Sequence, residues 1–156
     1  MKKRYTSAPL PFQGQKRRFI GAFALALEEL KQNQEVKVIV DLFGGSGLLS
    51  HTAKDIFPDC KVIYNDFDNY SIRLRNIDRT NRLLSDIREL AKDQESGKRI
   101  DPICSRKIIT RVEQEEQTGF VDYVTLSSSL MFSAKYVNDL NALKAETLYN
   151  NIKTCL

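Results

Sequence analysis

Apolar residues recur at helical spacing near the start of the chain, and the pattern then changes to one typical of strands. Residues 17–31 place large apolar side chains three or four positions apart, which predicts a helix with a buried stretch at 19–27. The β-branched run at residues 36–40 predicts a strand buried on both faces. A short helix then ends before Pro58, and residues 62–64 predict a second strand. This order of elements predicts a β-α-β unit.

The second half of the chain carries mainly helical patterns. One apolar stripe along residues 70–91 predicts a single long helix. The polar residues 92–101 predict a loop, and residues 134–152 predict a further helix. The short apolar runs at 108–112 and 120–126 fit strands or helix ends equally well.

We therefore expect an α/β part, residues 1–69, followed by a mostly helical segment, residues 70–156. A doubly wound sheet needs several parallel strands, and only two are convincing here, so the sheet is expected to be incomplete. Either a helical insert follows it or the chain stops before the sheet is finished. Because parallel strands are normally covered on both faces, we expect self-association or pairing with a missing C-terminal part of the same protein. Residues 120–126 could instead dock as a further strand.

Composition indicates a soluble protein from a reduced, cytoplasmic compartment. The 156 residues, 42% of them hydrophobic and 28% charged, suffice for one domain with a core. No apolar run is long enough to cross a bilayer, and no secretory signal is evident. The three cysteines lack paired spacing and there is one histidine, so no metal site is expected.

Positive charge is concentrated in two places. The net charge is +4, yet six basic residues precede the first acidic one, Glu28, and four arginines fall within residues 73–82. This distribution would suit a polyanion such as nucleic acid. A solvated surface explains it equally well.

A glycine-rich turn, residues 44–47, connects the first predicted strand to the next helix. Such a turn brings free backbone N–H groups and a helix N-terminus to one spot, which suits a cofactor with a carboxylate or a pyrophosphate. The usual three-glycine dinucleotide spacing is absent, which argues against NAD or FAD. Tight strand-to-helix turns also need glycine without any ligand.

An acidic residue, Asp66, follows the second predicted strand, 19 residues after Gly47 (66 − 47). A carboxylate at this place can accept hydrogen bonds from ribose hydroxyls, and the adjacent Phe67 could lie against an adenine ring. Asp66 or Asp68 could equally cap the following helix. Together with the glycine turn, the pattern favours nucleoside binding.

Two motifs resemble those of known methyltransferases. Asp41-x-Phe43-x-Gly45-Ser46-Gly47 resembles the first motif of S-adenosylmethionine-dependent enzymes that act on nucleic acid. Residues 11–16, Pro-Phe-Gln-Gly-Gln-Lys, resemble the N-terminal motif of the bacterial Dam-like DNA adenine-N6 methyltransferases, an aromatic, any residue, two glycines and a lysine. Gly14 and Lys16 match this motif. Phe12 stands where the family usually has Trp, and Gln15 stands where it has the second glycine.

This resemblance implies a Rossmann-like sheet that binds S-adenosylmethionine, with double-stranded DNA as the partner. It implies that the cofactor contacts come from Phe12, Gly14, Lys16, Asp41, Phe43, Gly45, Ser46, Gly47, Asp66 and Phe67. In the family a mostly helical insert reads the DNA, and residues from about 70 onward match it in position. Arg75, Arg79 and Arg82 share one face of a helix by their spacing and could bind phosphates, although an exposed helix face shows the same spacing.

The family's catalytic motif, Asp/Asn/Ser-Pro-Pro-aromatic, does not occur. Prolines stand only at 9, 11, 58 and 102, and Asp101-Pro102-Ile103-Cys104 is interpreted as a loop. No catalytic residue is therefore assigned, and the chain alone is expected to be inactive, because nothing orients the amine of a flipped base. An RNA or cytosine methyltransferase remains an alternative, as does a non-catalytic module that binds cofactor or nucleic acid.

Overall fold

The structure is a computed structural model that describes residues 6–132 and 135–152. The chain forms two compact units, Met1–Ile72 and Arg73–Leu156. This division falls three residues after the predicted boundary between residues 69 and 70 (72 − 69). Among the described residues, no helix is both long and apolar enough to cross a membrane.

The first unit contains the predicted β-α-β arrangement. A 3₁₀ turn at Arg17–Phe19 leads into helix α1, and the remaining elements follow in the order strand, helix, strand. The bounds are α1 Ile20–Asn33, β1 Val38–Asp41, α2 Leu48–Ile56 and β2 Lys61–Tyr64. The strands pair in parallel, with Val38 opposite Lys61 and Asp41 opposite Tyr64. The prediction of a β-α-β unit is confirmed.

Within residues 6–132 and 135–152, one face of this two-stranded sheet is covered and the other is largely exposed. Ile39 and Val62 pack against a cluster formed by α1 and α2, because successive strand side chains point to opposite faces. On the other face Val38 and Val40 are each 51% exposed and Ile63 is 41% exposed. The prediction of a strand buried on both faces was therefore wrong.

Helix α1 is also less buried than its apolar sequence predicts. Leu27 is its buried residue, whereas Leu25 is 74% exposed, and Phe19, just before the helix, is 65% exposed. The prediction of a buried stretch at 19–27 was wrong for these two side chains. One side of α1 packs on α2, and the opposite side faces solvent despite its apolar character.

The second unit is helical. Helix α3 crosses the division, and four more helices follow it: α3 Tyr70–Arg75, α4 Ile77–Leu90, α5 Pro102–Thr118, α6 Tyr123–Leu130 and α7 Leu140–Lys144. The core of this unit consists of large aliphatic side chains from α4 to α7, among them Leu83, Ile87, Ile108, Val112, Leu126, Leu130 and Leu143. The mostly helical character predicted for this half is confirmed.

Several details of the predicted helices differ. The single helix predicted over 70–91 is interrupted at Asn76, whose ψ of 17° departs from helical values, so that α3 and α4 are separate. Asp101 caps α5 by accepting from the amides of Ile103 and Cys104, and Pro102 is the first helical residue, where its missing N–H costs nothing. The prediction of a loop at residues 101–104 was therefore wrong for 102–104, which form the first turn of α5.

The short apolar runs are helical. Residues 108–112 lie inside α5, and residues 123–126 begin α6, where the Asp122 side chain accepts from the amide of Thr125. Residues 120–126 therefore do not add a strand. Within the predicted helix at 134–152, the structure describes 135–152, of which only Leu140–Lys144 is α-helical.

Candidate cofactor-binding site

The glycine-rich turn occupies the carboxyl end of β1, between that strand and α2. Gly45 and Gly47 have φ values of +50° and +73°, which side chains other than glycine rarely adopt, and Gly47 is the N-cap of α2. The amide of Gly47 donates to the carbonyl oxygen of Gly44 at 2.8 Å. The turn therefore needs glycine at 45 and 47 for its backbone conformation alone.

The N-terminal motif lies against this turn. The ring of Phe12 is so close that a Cβ built on Gly45 would lie 3.0 Å from Phe12 Cε1. The Lys16 ammonium donates to the carbonyl oxygen of Phe43 at 3.0 Å. Gly14, Lys16, Gly44 and Ser46 line one narrow crevice at the start of α2, together with Leu48 and Leu49. The two motifs, distant in sequence, thus meet in space.

The predicted acidic residue follows β2 and caps α3. The Asp66 carboxylate accepts from the amides of Tyr70 and Ser71 at 2.7 and 3.0 Å, and from the hydroxyl of Tyr64 at 3.1 Å. Burial raises the pKa of Asp66, but hydrogen bonds from Ser71, Tyr70 and Tyr64 outweigh it and hold the pKa below its usual value. The capping alternative is therefore realised.

A carboxylate can accept about four hydrogen bonds, and Asp66 already accepts from the amides of Tyr70 and Ser71, from the Ser71 side chain and from the Tyr64 hydroxyl, so a ribose hydroxyl would have to share or replace one of these donors. Its role toward ribose stays a prediction. Asp41 is tied into the fold, since its Oδ2 accepts from Ser50 Oγ at 2.6 Å.

Two phenylalanines of the predicted site project into solvent. Phe43 is 80% exposed and Phe67 is 84% exposed. An exposed aromatic face is a surface on which a purine can stack. The exposure of the Phe67 ring is compatible with a contact to adenine, and that contact stays a prediction.

Comparison with known proteins decides the family. Residues 12–152 match the family model of the D12 class N6 adenine-specific DNA methyltransferases. The chain belongs to this family. The resemblance noted in the sequence is confirmed, and the match extends through the helical half of the chain.

One curated relative of this D12 chain is a protein of Haemophilus influenzae named "Putative methyltransferase". It is 40% identical over 155 residues, which cover 97% of this chain and 51% of the relative. The chain thus spans about half the length of that relative. No solved structure matches the chain.

Sequence reasoning did not identify Tyr64, which contacts both the glycine turn and Asp66 in this D12 chain. Tyr64, the last residue of β2, donates from its hydroxyl to the carbonyl oxygen of Gly45 and lies against Gly44. The sequence contained a signal for this contact. A large aromatic ring at the end of a strand needs a small residue on the turn beside it, and glycine stands there.

The three arginines predicted to bind DNA lie in different surroundings. Arg75 is on α3, whereas Arg79 and Arg82 are on α4, so the spacing argument for one continuous helical face does not hold. Arg79 is half-buried; it forms an ion pair with Glu115 and donates to Thr118 Oγ1 at 2.7 Å. Arg75 and Arg82 are exposed. Binding of DNA by these residues stays a prediction.

Proposed function

We propose that this D12 chain binds S-adenosylmethionine at the carboxyl ends of β1 and β2, in a Rossmann-like arrangement, as the cofactor-binding part of a DNA adenine-N6 methyltransferase. The observation that supports this most is that Phe12 packs against Gly45 and Lys16 donates to Phe43, the residue before the glycine turn, while Tyr64 links that turn to Asp66. Residues from three segments of the chain thereby form one polar edge. The bound cofactor would supply a methyl group on a positively charged sulfur.

The residues present suit the chemistry of such a ligand. The Lys16 ammonium has three donors and spends one on Phe43, so it can also form a charge-assisted contact with an amino-acid carboxylate. Asp66 stays ionised at neutral pH and can accept from ribose, and the exposed ring of Phe67 offers a stacking face for adenine. Phe12 packs on the turn and excludes water from one side of it.

Calorimetry with S-adenosylhomocysteine, the stable product, tests cofactor binding. Asp66→Ala should weaken binding by about 1–3 kcal/mol, the cost of leaving a hydrogen-bonding group without its partner. Asp139→Ala is the matched control, because Asp139 also caps a helix, by accepting from the amide of Ala142 at 2.8 Å, and lies in the other unit. Equal affinities for Asp66→Ala and the unaltered chain would remove Asp66 from the site.

We further propose that double-stranded DNA is the substrate of the whole enzyme and that these 156 residues alone do not transfer methyl groups. The 156 residues contain no Pro-Pro-aromatic sequence to hold a flipped adenine. Incubation of the purified chain with radiolabelled cofactor and duplex DNA should leave the DNA unlabelled. Labelled adenine in the DNA would refute the proposed inactivity, and labelled cytosine or RNA would favour the alternative substrates.

The open face of the sheet supports a proposal about partners. Val38, Val40 and Ile63 form an apolar face that α1 and α2 do not cover. Because such faces are normally covered in parallel sheets, we propose that this face associates with further polypeptide, either a second copy or another part of the same enzyme.

A further inference from the structure

Tyr64 lies across the glycine turn. It pairs in register with Asp41, so its ring stands beside the end of β1. A Cβ built on Gly44 would lie 2.2 Å from Tyr64 Cε2, and a Cβ on Gly47 would lie 3.8 Å from the same atom. The ring therefore covers the turn, and no larger residue fits at position 44 while it stays there.

The hydroxyl of Tyr64 contacts two groups of the predicted site, the glycine turn and the Asp66 carboxylate. It donates to the carbonyl oxygen of Gly45 and lies 3.1 Å from Asp66 Oδ1. A phenol has one hydrogen, so these two acceptors share it. Burial, followed by the hydrogen bond and charge of Asp66, raises the pKa of Tyr64, so the hydroxyl keeps its hydrogen at physiological pH.

The other contacts of Asp66 come from Tyr70 and Ser71, at the start of α3. The amides of Tyr70 and Ser71 belong to α3, and they fix the carboxylate to that helix. Tyr64 is the contact that joins the carboxylate to the glycine turn. Strand pairing and the Asn65 side chain, which donates to the carbonyl oxygen of Leu42, fix the two strand ends, and the Tyr64 hydroxyl adds a direct link between Gly45 and Asp66.

We propose that Tyr64 is a positioning residue that holds the glycine turn and the Asp66 carboxylate at one spacing, matched to a ligand with an amino-acid end and a ribose end. This inference rests on the proposed cofactor binding. Tyr64 acts through Gly45 and Asp66 and needs no contact with the ligand itself. If the glycine turn and the Asp66 carboxylate are already held in place, less conformational entropy is lost when the ligand binds.

Tyr64→Phe tests the proposal, since it keeps the ring on Gly44 and removes only the hydroxyl. The pKa of the Asp66 carboxyl, followed by carbon-13 NMR, should rise in this variant because the carboxylate loses one donor. The dissociation constant for S-adenosylhomocysteine should increase about threefold to tenfold, the effect of one hydrogen bond.

Tyr123→Phe is the matched control. The Tyr123 hydroxyl also donates to a carboxylate, Glu116 Oε1, at 2.6 Å, but in the other unit. This variant should leave the Asp66 pKa and the dissociation constant at their unaltered values. In an Asp66→Asn background, Tyr64→Phe should cost less affinity than it does in the unaltered chain, because the two side chains act as a unit.

The outcomes separate this inference from the proposed function. An unchanged Asp66 pKa in Tyr64→Phe overturns the role of Tyr64, whether or not any ligand binds. A raised Asp66 pKa with unchanged ligand affinity, or strictly additive effects of the two substitutions, overturns it as well. Failure of the unaltered chain to bind S-adenosylhomocysteine, with the Asp66 pKa raised as expected, overturns the proposed cofactor instead.

Discussion

The ring of Phe12 lies directly against Gly45, so that a Cβ added to the glycine would come within 3.0 Å of the ring edge. This contact joins the N-terminal motif to the glycine turn. It brings together two residues of the proposed site that α1 and β1 separate in sequence. A larger side chain at position 45 would collide with the Phe12 ring, so each position restricts the size of the residue at the other.

Gly45→Ala should destabilise the first unit by about 1–2 kcal/mol, because alanine is strained at the φ of +50° and its methyl group meets the Phe12 ring. Urea unfolding measures the change. Gly21→Ala is the control, since a Cβ on Gly21, inside α1, meets nothing within 4 Å. That substitution should stabilise the helix by about 0.5–1 kcal/mol. Equal effects of the two substitutions would contradict the account of the turn.

The contribution of Asp66 to stability should depend on pH. Its folded pKa lies below the ordinary value, so the stabilisation is complete above the unfolded pKa and is lost as pH falls through the folded pKa. The difference in unfolding free energy between the unaltered chain and Asp66→Asn should therefore be largest near neutral pH and shrink below about pH 4. Unfolding curves at several pH values measure it, and a difference that stayed constant down to pH 3 would show that the carboxylate is not held in its charged form.

Arg79 and Arg82 should respond differently to substitution. Arg79→Ala removes a cation from Glu115, whose side chain is 12% exposed, and should destabilise the second unit by about 1–3 kcal/mol. Arg82 is exposed, so Arg82→Ala should change stability by less than about 0.5 kcal/mol.

If Arg82 contacts a phosphate, its loss should weaken DNA binding for every sequence and lower the salt slope by about one. Fluorescence anisotropy with duplex DNA at several salt concentrations measures both effects. A salt slope identical to that of the unaltered chain would exclude Arg82 from a phosphate contact.

The open sheet face should drive self-association of the isolated chain. Val40, which is 51% exposed on that face, is the residue to change: Val40→Lys should shift the chain toward monomer, because a charge opposes burial of the face. Ile103→Lys, at a residue 62% exposed on α5, should leave the association unchanged. Sedimentation velocity over a range of concentrations measures the mass, and a compact monomer at the highest concentration would rule out association through this face.

The sequence alone determined the β-α-β order, the glycine turn and the family. These features are local: strand and helix periods, turn chemistry and motif spacing are each set by residues near one another in the chain. The same local information could not divide residues 70–91 into α3 and α4, since the apolar stripe continues through Asn76. It also left the runs at 108–112 and 120–126 undecided, because short apolar runs fit strands and helices alike.

Only the tertiary structure decided which atoms meet. That Tyr64 joins Gly45 to Asp66, that Asp66 caps α3, and that Arg79 is engaged by Glu115 all depend on how separate elements are placed. The exposure of Val38 and Val40 was likewise decided in three dimensions, because an apolar run predicts a side chain's preference for burial but not whether another layer is there to bury it.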